Sequence, residues 1–515
     1  MAHEWLDKAV FYEIYPQTFK DSNADGIGDI NGIIEKLDYV EETGCNAIWM
    51  NPCFDSPFVD AGYDVRDFYK VAERYGTNED LKRLFEEVHK RDMHIILDLV
   101  AGHTSVENKW FIESSKPEKN EYSDRYIWTN TVWNAPVGIG NTSGWLRGGY
   151  DRDGAAALNF FTAQVALNYG FYQKDEGNDW EQSMDDEGPI STREELKNIM
   201  RFWLAMGCDG FRVDMAGILV KNDQDGKGTI ALWQNIKAFL SEEYPEAVLV
   251  SEWGEPDKAL EGGFDMDFLL HFGPSHYLDL FRTEKPYFSS KSEGNLKQFW
   301  DLYKINYQKA LKNGGMICIP SGNHDMDRMA RTLTPEEMKI AFAFLLSMPG
   351  VPFIYYGDEL GMRYVNVPHS IEGGYFRTGS RSPMQWDKTT NAGFSSAKKD
   401  MLYMPQDEEG MKEINVESEM KDESSLLHEV MDLIEIRKEH SALGNRGNFE
   451  LLEYEDFPLI YQRSSEDETV LVVLNPSNKD VKTDIDLSGD MIYSYNGNTL
   501  EGNTIPACSA FFIQK

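Results

Sequence analysis

The chain has 515 residues, 41% of them hydrophobic and 13% aromatic, which is enough for two or three domains with a sizeable core and too apolar for a disordered segment. Asp and Glu total 87 against 50 Lys and Arg, and the formal charge of −37 repels phosphate backbones and anionic bilayers, so no nucleic acid and no membrane is expected as a partner. No run approaches the ~20 apolar residues of a membrane span, and the opening MAHEWLDKAVF lacks the basic start and apolar core of a secretory signal.

The first element is the aromatic and β-branched stretch 10–15, which reads as a strand. DSNADGIGD (21–29) follows it. Calcium takes about six to eight oxygens, and an EF-hand-type loop supplies them from alternate side chains and one backbone carbonyl around a central glycine, closing on a bidentate Glu. Asp21, Asn23, Asp25, the Ile27 carbonyl and Asp29, with Gly26 in the middle, fit that pattern, whereas Gly32 stands where the Glu belongs. The same residue types form metal-free Asx turns. The segment is therefore a calcium loop or a run of such turns, and the strand before it argues against a sensor.

Along the chain, short apolar runs at 10–15, 47–51, 95–100, 211–214, 248–252, 266–270, 315–320 and 353–356 alternate with amphipathic stretches at 32–42, 78–91, 192–206, 232–243 and 335–347. Eight strands alternating with helices point to an α/β fold, the (β/α)8 TIM barrel. The connection between 100 and 211 is far longer than a strand-to-helix loop needs to be, so 103–186 reads as an inserted lobe, with 1–102 and 187–437 forming the barrel. After Arg437 the texture changes to short alternating segments (448–454, 459–462, 470–474, 491–495, 510–513) between Asn, Gly, Ser and Asp, which predicts a C-terminal antiparallel β-sandwich over 438–515. The five cysteines are odd in number and sit mostly in apolar surroundings, so they read as reduced core residues of a cytoplasmic protein.

A barrel of this kind builds its active site at the C-terminal ends of the strands. Ionisable residues collect there: Asp98 and His103 after the third strand, Arg212 and Asp214 at the fourth, Glu252 at the fifth, His324 and Asp325 at the seventh. Any one of them alone reads equally well as a solvated acid or a satisfied core histidine. Charged groups at four strand ends, each following an apolar run, are hard to ascribe to chance. Paired carboxylates at an anomeric centre do acid and nucleophile work, and rings such as Tyr63, Trp128, Trp145, Phe160, Phe161 and Trp253 suit the CH-rich faces of a sugar.

The motifs DLVAGH (98–103), GFRVD (210–214), EW (252–253) and NHD (323–325), in this order and strand placement, resemble the α-amylase family of glycoside hydrolases, nearest its oligo-1,6-glucosidase and α-glucosidase branch; the likeness runs from Lys8 to the C-terminus. It implies Asp214 as nucleophile, Glu252 as general acid/base and Asp325 as the acid that binds sugar hydroxyls. It implies Arg212 beside Asp214, with His103 and His324 donating to the sugar and Asp98 bracing the site. It further implies a structural Ca2+ on Asp21, Asn23, Asp25, Ile27 and Asp29, and a Tyr63–Asp64 segment that with Arg381 of RSPMQW closes the pocket behind a terminal glucose. Departures are visible: AAALN (155–159) keeps only Leu158 and Asn159 of a QPDLN-like segment, and Met215 follows the nucleophile where the branch has Val, Ala or Thr, so linkage preference does not carry over. NDQDGKG (222–228) lacks the full alternation and reads as a plain turn.

What the resemblance implies is a retaining, exo-acting α-glucosidase on short α-linked oligosaccharides. Its rivals are a transglycosylase or isomerase of the trehalose synthase kind, an endo-acting amylase and, from another class, a non-catalytic carbohydrate-binding scaffold, which has no need of three clustered acids.

Overall fold

The computed structural model describes residues 3–270, 275–497, 500 and 502–515. Eight parallel strands close into a barrel: β1 (Phe11–Ile14), β2 (Ala47–Met50), β3 (His94–Leu99), β4 (Gly210–Val213), β5 (Val248–Ser251), β6 (Met266–Phe268), β7 (Met316–Pro320) and β8 (Val351–Tyr355), with β8 pairing back onto β1. Strands buried on both faces read as unbroken apolar runs, which is why they were visible in the sequence. Alternate residues divide between two cores. Phe11, Trp49, Ile96, Val250, Phe268 and Phe353 fill the barrel, while Tyr12, Ile48, Leu97, Leu249, Ile317 and Ile354 face the surrounding helices.

Local chemistry sets the helix starts. Thr77 with Asp80 and Thr334 with Glu337 form reciprocal capping boxes on Asn78–His89 and Pro335–Ser347. The stretch expected as one helix over 32–42 is broken at Lys36 into Ile30–Glu35 and Leu37–Glu42. NDQDGKG serves as a helix start: Asp223 accepts from the Gly228 and Thr229 amides at 3.0 and 2.7 Å, at the head of Lys227–Glu243.

The long connection after β3 carries a four-stranded antiparallel sheet, His103–Ser105, Gln164–Ala166, Ala155–Leu158 and Gly144–Arg147 in spatial order. Its small core holds Ile127, Ala157, Ala166 and Phe171 against Trp145 and Trp180, with Ala157 of AAAL opposite Trp145 across the strand pair. Barrel architecture resumes at Glu187–Met206.

C-terminal to the barrel, β9 (Asn448–Glu453), β10 (Leu459–Ser464), β11 (Thr469–Asn475), β12 (Asp490–Tyr495) and β13 (Ser509–Gln514) form one antiparallel sheet in the order β9-β10-β11-β13-β12. One face, with Tyr461, Val472 and Phe512, joins the barrel's outer core; the other, with Ile460, Val473 and Phe511, packs on Ile505 of the two-stranded sheet Val481–Lys482 and Thr504–Ile505. Among the described residues no helix is long and apolar enough to cross a membrane, and the five cysteines are free, four of them buried.

Two buried arginines meet the chain at the end of Pro335–Ser347 through carbonyls, Arg437 from the helix Leu426–Glu439 and Arg463 from β10 of this sheet. Arg437 donates to Leu346 O, Met348 O and Gly350 O at 2.6, 2.9 and 2.7 Å, and Arg463 donates to Ser347 O and to Gly444 O at 2.7 Å. Both satisfy chain just past the end of Pro335–Ser347, where the last helical carbonyls have no partner within the helix. Replacing Arg437 by Met leaves three buried carbonyls unpaired, each a loss of about 1–3 kcal/mol. The expected outcome is a clear drop in the thermal midpoint with the barrel's far-ultraviolet signature kept, read by calorimetry and circular dichroism.

Candidate active site

Arg212 sits on β4, 2% exposed, at the centre of the barrel mouth. Its Nη1 donates to Asp98 Oδ1 at 2.9 Å and to Asp214 Oδ1 at 3.3 Å, and its Nη2 lies 2.7 Å from Glu252 Oε2. Its guanidinium carbon stands 4.9 Å from the Trp49 ring centroid, and the Trp49 indole donates to Asp98 Oδ2 at 3.2 Å. Three strands thus deliver three acids to one cation. Burial pushes the Asp98 carboxyl up to about 6 against the pull of Arg212. Burial and then the charge of Glu252 push Asp214 upward, and Arg212 opposes both. The Met215 amide adds a bond to Glu252 Oε2 at 3.2 Å, from a left-handed backbone (φ 43°, ψ 46°) that is strained for a residue with a Cβ.

A second chain of contacts runs beneath. Tyr63 O–H donates to Asp98 Oδ2 at 3.0 Å and lies 2.7 Å from His324 Nε2, with the two rings stacked at 5.3 Å. His324 Nδ1 is 2.9 Å from Glu13 Oε1 and 3.1 Å from Asn51 Nδ2. Burial lowers His324 well below the usual imidazole range and raises Glu13 well above the carboxylate range. His103 donates from Nε2 to Tyr63 O at 2.9 Å and meets Asn159 Nδ2 at 3.3 Å, and burial takes it down to about 4. The ring nitrogens of both histidines are thus taken up by the protein, where the sequence reading had them donating to a sugar. As placed, they grip Tyr63 from two sides.

Asp325 faces the cavity from the β7 end. Its Oδ1 accepts from Arg377 Nη1 and Arg381 Nη2, each at 2.8 Å, and Arg381 also donates to His324 O at 2.8 Å. The expectation that Asp64 pairs with Arg381 to wall the pocket is corrected here. Asp64 is fully buried and accepts from the Val59 and Asp60 amides at 2.9 and 3.0 Å and from Ser56 Oγ at 3.0 Å, so its carboxylate folds its own turn. Among the described residues it makes no ion pair with Arg381. The acid that reaches the cavity is Asp60: its Oδ1 lies 3.7 Å from Arg377 Nη2, its Oδ2 accepts from Gln164 Nε2 at 2.7 Å, and burial raises it to about 6.

The mouth encloses a cavity of about 420 Å³ lined by Asp214, Glu252, Asp325, Asp60, Tyr63 and His103, with Met215 and several aromatics around them. That volume lies in the range of a small-molecule site. Asp214, Glu252, Asp325, Tyr63 and His103 come together as the motifs implied, Arg212 and His324 support them from below, and Arg381 reaches the site through Asp325 and the His324 carbonyl. Sequence reasoning missed Asp60, Arg377 and Glu13. Only Glu13 left a sign, as a charge inside the apolar strand FYEI.

The description "Alpha amylase, catalytic domain" matches residues 13–446. The chain is 32% identical to the oligo-1,6-glucosidase of Parageobacillus thermoglucosidasius, covering 93% of this chain and 92% of that one. It is also 32% identical to the trehalose synthase/amylase TreS of Mycolicibacterium smegmatis, covering 85% and 77%. The solved trehalulose synthase MutB of Pseudomonas mesoacidophila MX-45 superposes with a TM-score of 0.83 at 26% identity over the full length of both chains.

The side chains of the 21–29 loop bond to its own backbone. Asp21 Oδ1 accepts from the Asn23 and Ala24 amides at 2.9 and 2.7 Å, and its Oδ2 accepts from the Gly26 amide at 2.8 Å and from Ser395 Oγ at 2.5 Å. Asn23 and Asp25 each accept the amide two residues on, and Asp29 accepts from Gly32 N and from Ser22 N and Oγ. Among the described residues no three Asp, Glu, His or Cys side chains gather where they could hold a metal. These side-chain oxygens hold the loop in successive Asx turns, the metal-free alternative that the sequence also allowed. Chelation with EDTA and recalcification are expected to leave the melting temperature unchanged; a rise of several degrees on adding calcium would restore the ion.

Proposed function

The chain belongs to the α-amylase family of glycoside hydrolases, and on that premise we propose that it is a retaining, exo-acting α-glucosidase that removes terminal glucose from short α-linked oligosaccharides. The observation that carries the reading is Asp214 and Glu252 on the two nitrogens of one buried guanidinium. Retention needs the two carboxyls only about 5–5.5 Å apart, close enough for one to attack while the other transfers a proton. Asp214 forms a bond to the anomeric carbon as the bond to the leaving oxygen breaks, and Glu252 gives that oxygen its proton. Glu252, now a carboxylate, takes a proton from water, whose oxygen displaces Asp214 and restores the original configuration. Asp325, held by two arginines, is positioned to accept hydrogen bonds from hydroxyls of the glucose ring.

The exo assignment rests on the bridge in which Arg377 joins Asp325 to Asp60 across the cavity wall. We read that bridge as the end of the glucose site, past which a longer chain does not extend. The relatives named synthases hold open a second outcome, transfer of the glucosyl group to another hydroxyl in place of water, because both outcomes use the same covalent intermediate.

Asp214→Asn and Glu252→Gln are each expected to lower turnover of maltose or isomaltose by roughly 10³-fold or more with the far-ultraviolet circular dichroism of the folded barrel kept; near-normal rates in either variant would remove the assignment. Maltoheptaose is expected to yield glucose from the first time point by chromatography, and an early ladder of intermediate lengths would mean endo attack. Asp60 also predicts a pH effect. As pH falls through about 6 it takes up a proton and its ion pair with Arg377 weakens, so KM rises on the acid side, and Asp60→Asn should remove that rise.

A further inference from the structure

Four aromatic side chains around the catalytic cavity are left in solvent by the fold: Phe160 at 37%, Phe161 at 39%, Tyr375 at 61% and Phe376 at 68% exposure. Large apolar side chains exposed together at one concavity mark a binding surface. They come from two elements. Phe160 and Phe161 sit in the lobe between Ala155–Leu158 and Gln164–Ala166, with Phe160 set edge-on against the His103 ring at 5.9 Å. Tyr375 and Phe376 sit on the loop that also carries Arg377.

That loop is held in a costly shape. Glu372 (φ 45°), Gly373 (φ 65°) and Tyr375 (φ 47°) are all left-handed, two of them with side chains that disfavour it. The surroundings impose it: Glu372 accepts from Arg74 Nη2 at 2.7 Å and from Tyr403 O–H, and Arg377 Nη2 donates to Gly373 O at 2.9 Å while Nη1 binds Asp325. The Arg74 guanidinium carbon lies over Phe58, 3.2 Å from the ring centroid. A strained segment tied at both ends and displaying two exposed rings beside Asp325 has the character of a functional device.

We propose that these rings form the two jaws of the aglycone site, Phe160 and Phe161 facing Tyr375 and Phe376, and that they select α-glucosides whose leaving group is uncharged and flat-faced, a second pyranose or an aryl ring. The inference rests on the glucosidase reading, because it places glucose on Asp214 and the leaving group outward. Continuity carries it, since all four rings line the same cavity as Asp214 and Glu252. Charge supports it. Asp60, Asp214, Glu252 and Asp325 line the cavity, and among the described residues its one permanent cation, Arg377, is engaged by Asp325 and Asp60. A phosphate on the leaving group would meet carboxylates with no cation to receive it.

The test compares kcat/KM for maltose, isomaltose and p-nitrophenyl α-glucoside with that for α-glucosyl fluoride, whose leaving group has no ring to stack. In Tyr375→Ala and Phe376→Ala the ratio of each ring-bearing substrate to the fluoride should fall about tenfold, and Phe376→Tyr should restore it. Unchanged ratios in both alanine variants would overturn the proposal while leaving the glucosidase reading in place. A disaccharide carrying phosphate on its reducing-end ring should be turned over at least about tenfold more slowly than its neutral parent; equal rates would overturn the charge selection. If the unsubstituted enzyme releases glucose from none of the substrates, fluoride included, the glucosidase reading fails first and the proposal with it.

Discussion

One buried cation organises the mouth of the barrel. Arg212 is 2% exposed, and a guanidinium taken out of water is tolerated only when its neighbours return the lost solvation. Asp98, Asp214 and Glu252 do so from three adjacent strands, at 2.9, 3.3 and 2.7 Å. The dependence is mutual. Three acids crowded into a low-dielectric site repel one another, and removing one partner of such a cluster leaves an uncompensated buried charge at a loss of about 3–5 kcal/mol. The acids of the chemistry are therefore also the counter-ions that let β4 carry its arginine, and site and barrel are specified together.

Further shells extend the same logic. Tyr63 links Asp98 to His324, and His324 is seated on Glu13 and Asn51, so the first, second, third and seventh strand ends are locked into one network. Around it, Arg377 and Arg381 converge on a single oxygen of Asp325, and Arg377 reaches on to Asp60. Lys221 is fully buried with carbonyl and amide oxygens for partners, Asn141 O, Asn159 Oδ1 and Ile218 O; burial lowers it to about 7, and it ties the lobe to the loop after β4. The barrel fixes the acids, and the loops and lobe fix the shape of the space in front of them.

The sequence displayed the first of these layers and concealed the second. Barrel strands are buried on both faces, so β1 to β8 appear as apolar runs, and residues at their ends are placed by the fold whatever the loops do; Asp98, Arg212, Asp214, Glu252 and Asp325 were legible for that reason. Asp60 and Asp64 show why loop residues were not. They lie in one turn, and which carboxylate folds the turn and which enters the cavity depends on the amides of Val59 and Asp60, which the sequence does not orient. Arg377 and Arg381 pose the same difficulty, since both reach Asp325 but only Arg377 lines the cavity. In DSNADGIGD, side-chain oxygens at alternate positions suit a metal or their own backbone amides equally well, and the amide bonds became visible only with the fold.

The central claim is that Asp214 becomes covalently bonded to glucose during turnover. Incubation with 5-fluoro-α-glucosyl fluoride, which slows breakdown of the intermediate, followed by proteolysis and mass spectrometry of the peptides, tests it most directly. The account predicts one added 5-fluoroglucosyl group on the peptide containing Asp214, and no such adduct when that residue is Asn. A label on any other carboxylate, or full turnover of natural substrate with no trapped adduct on Asp214, would contradict it.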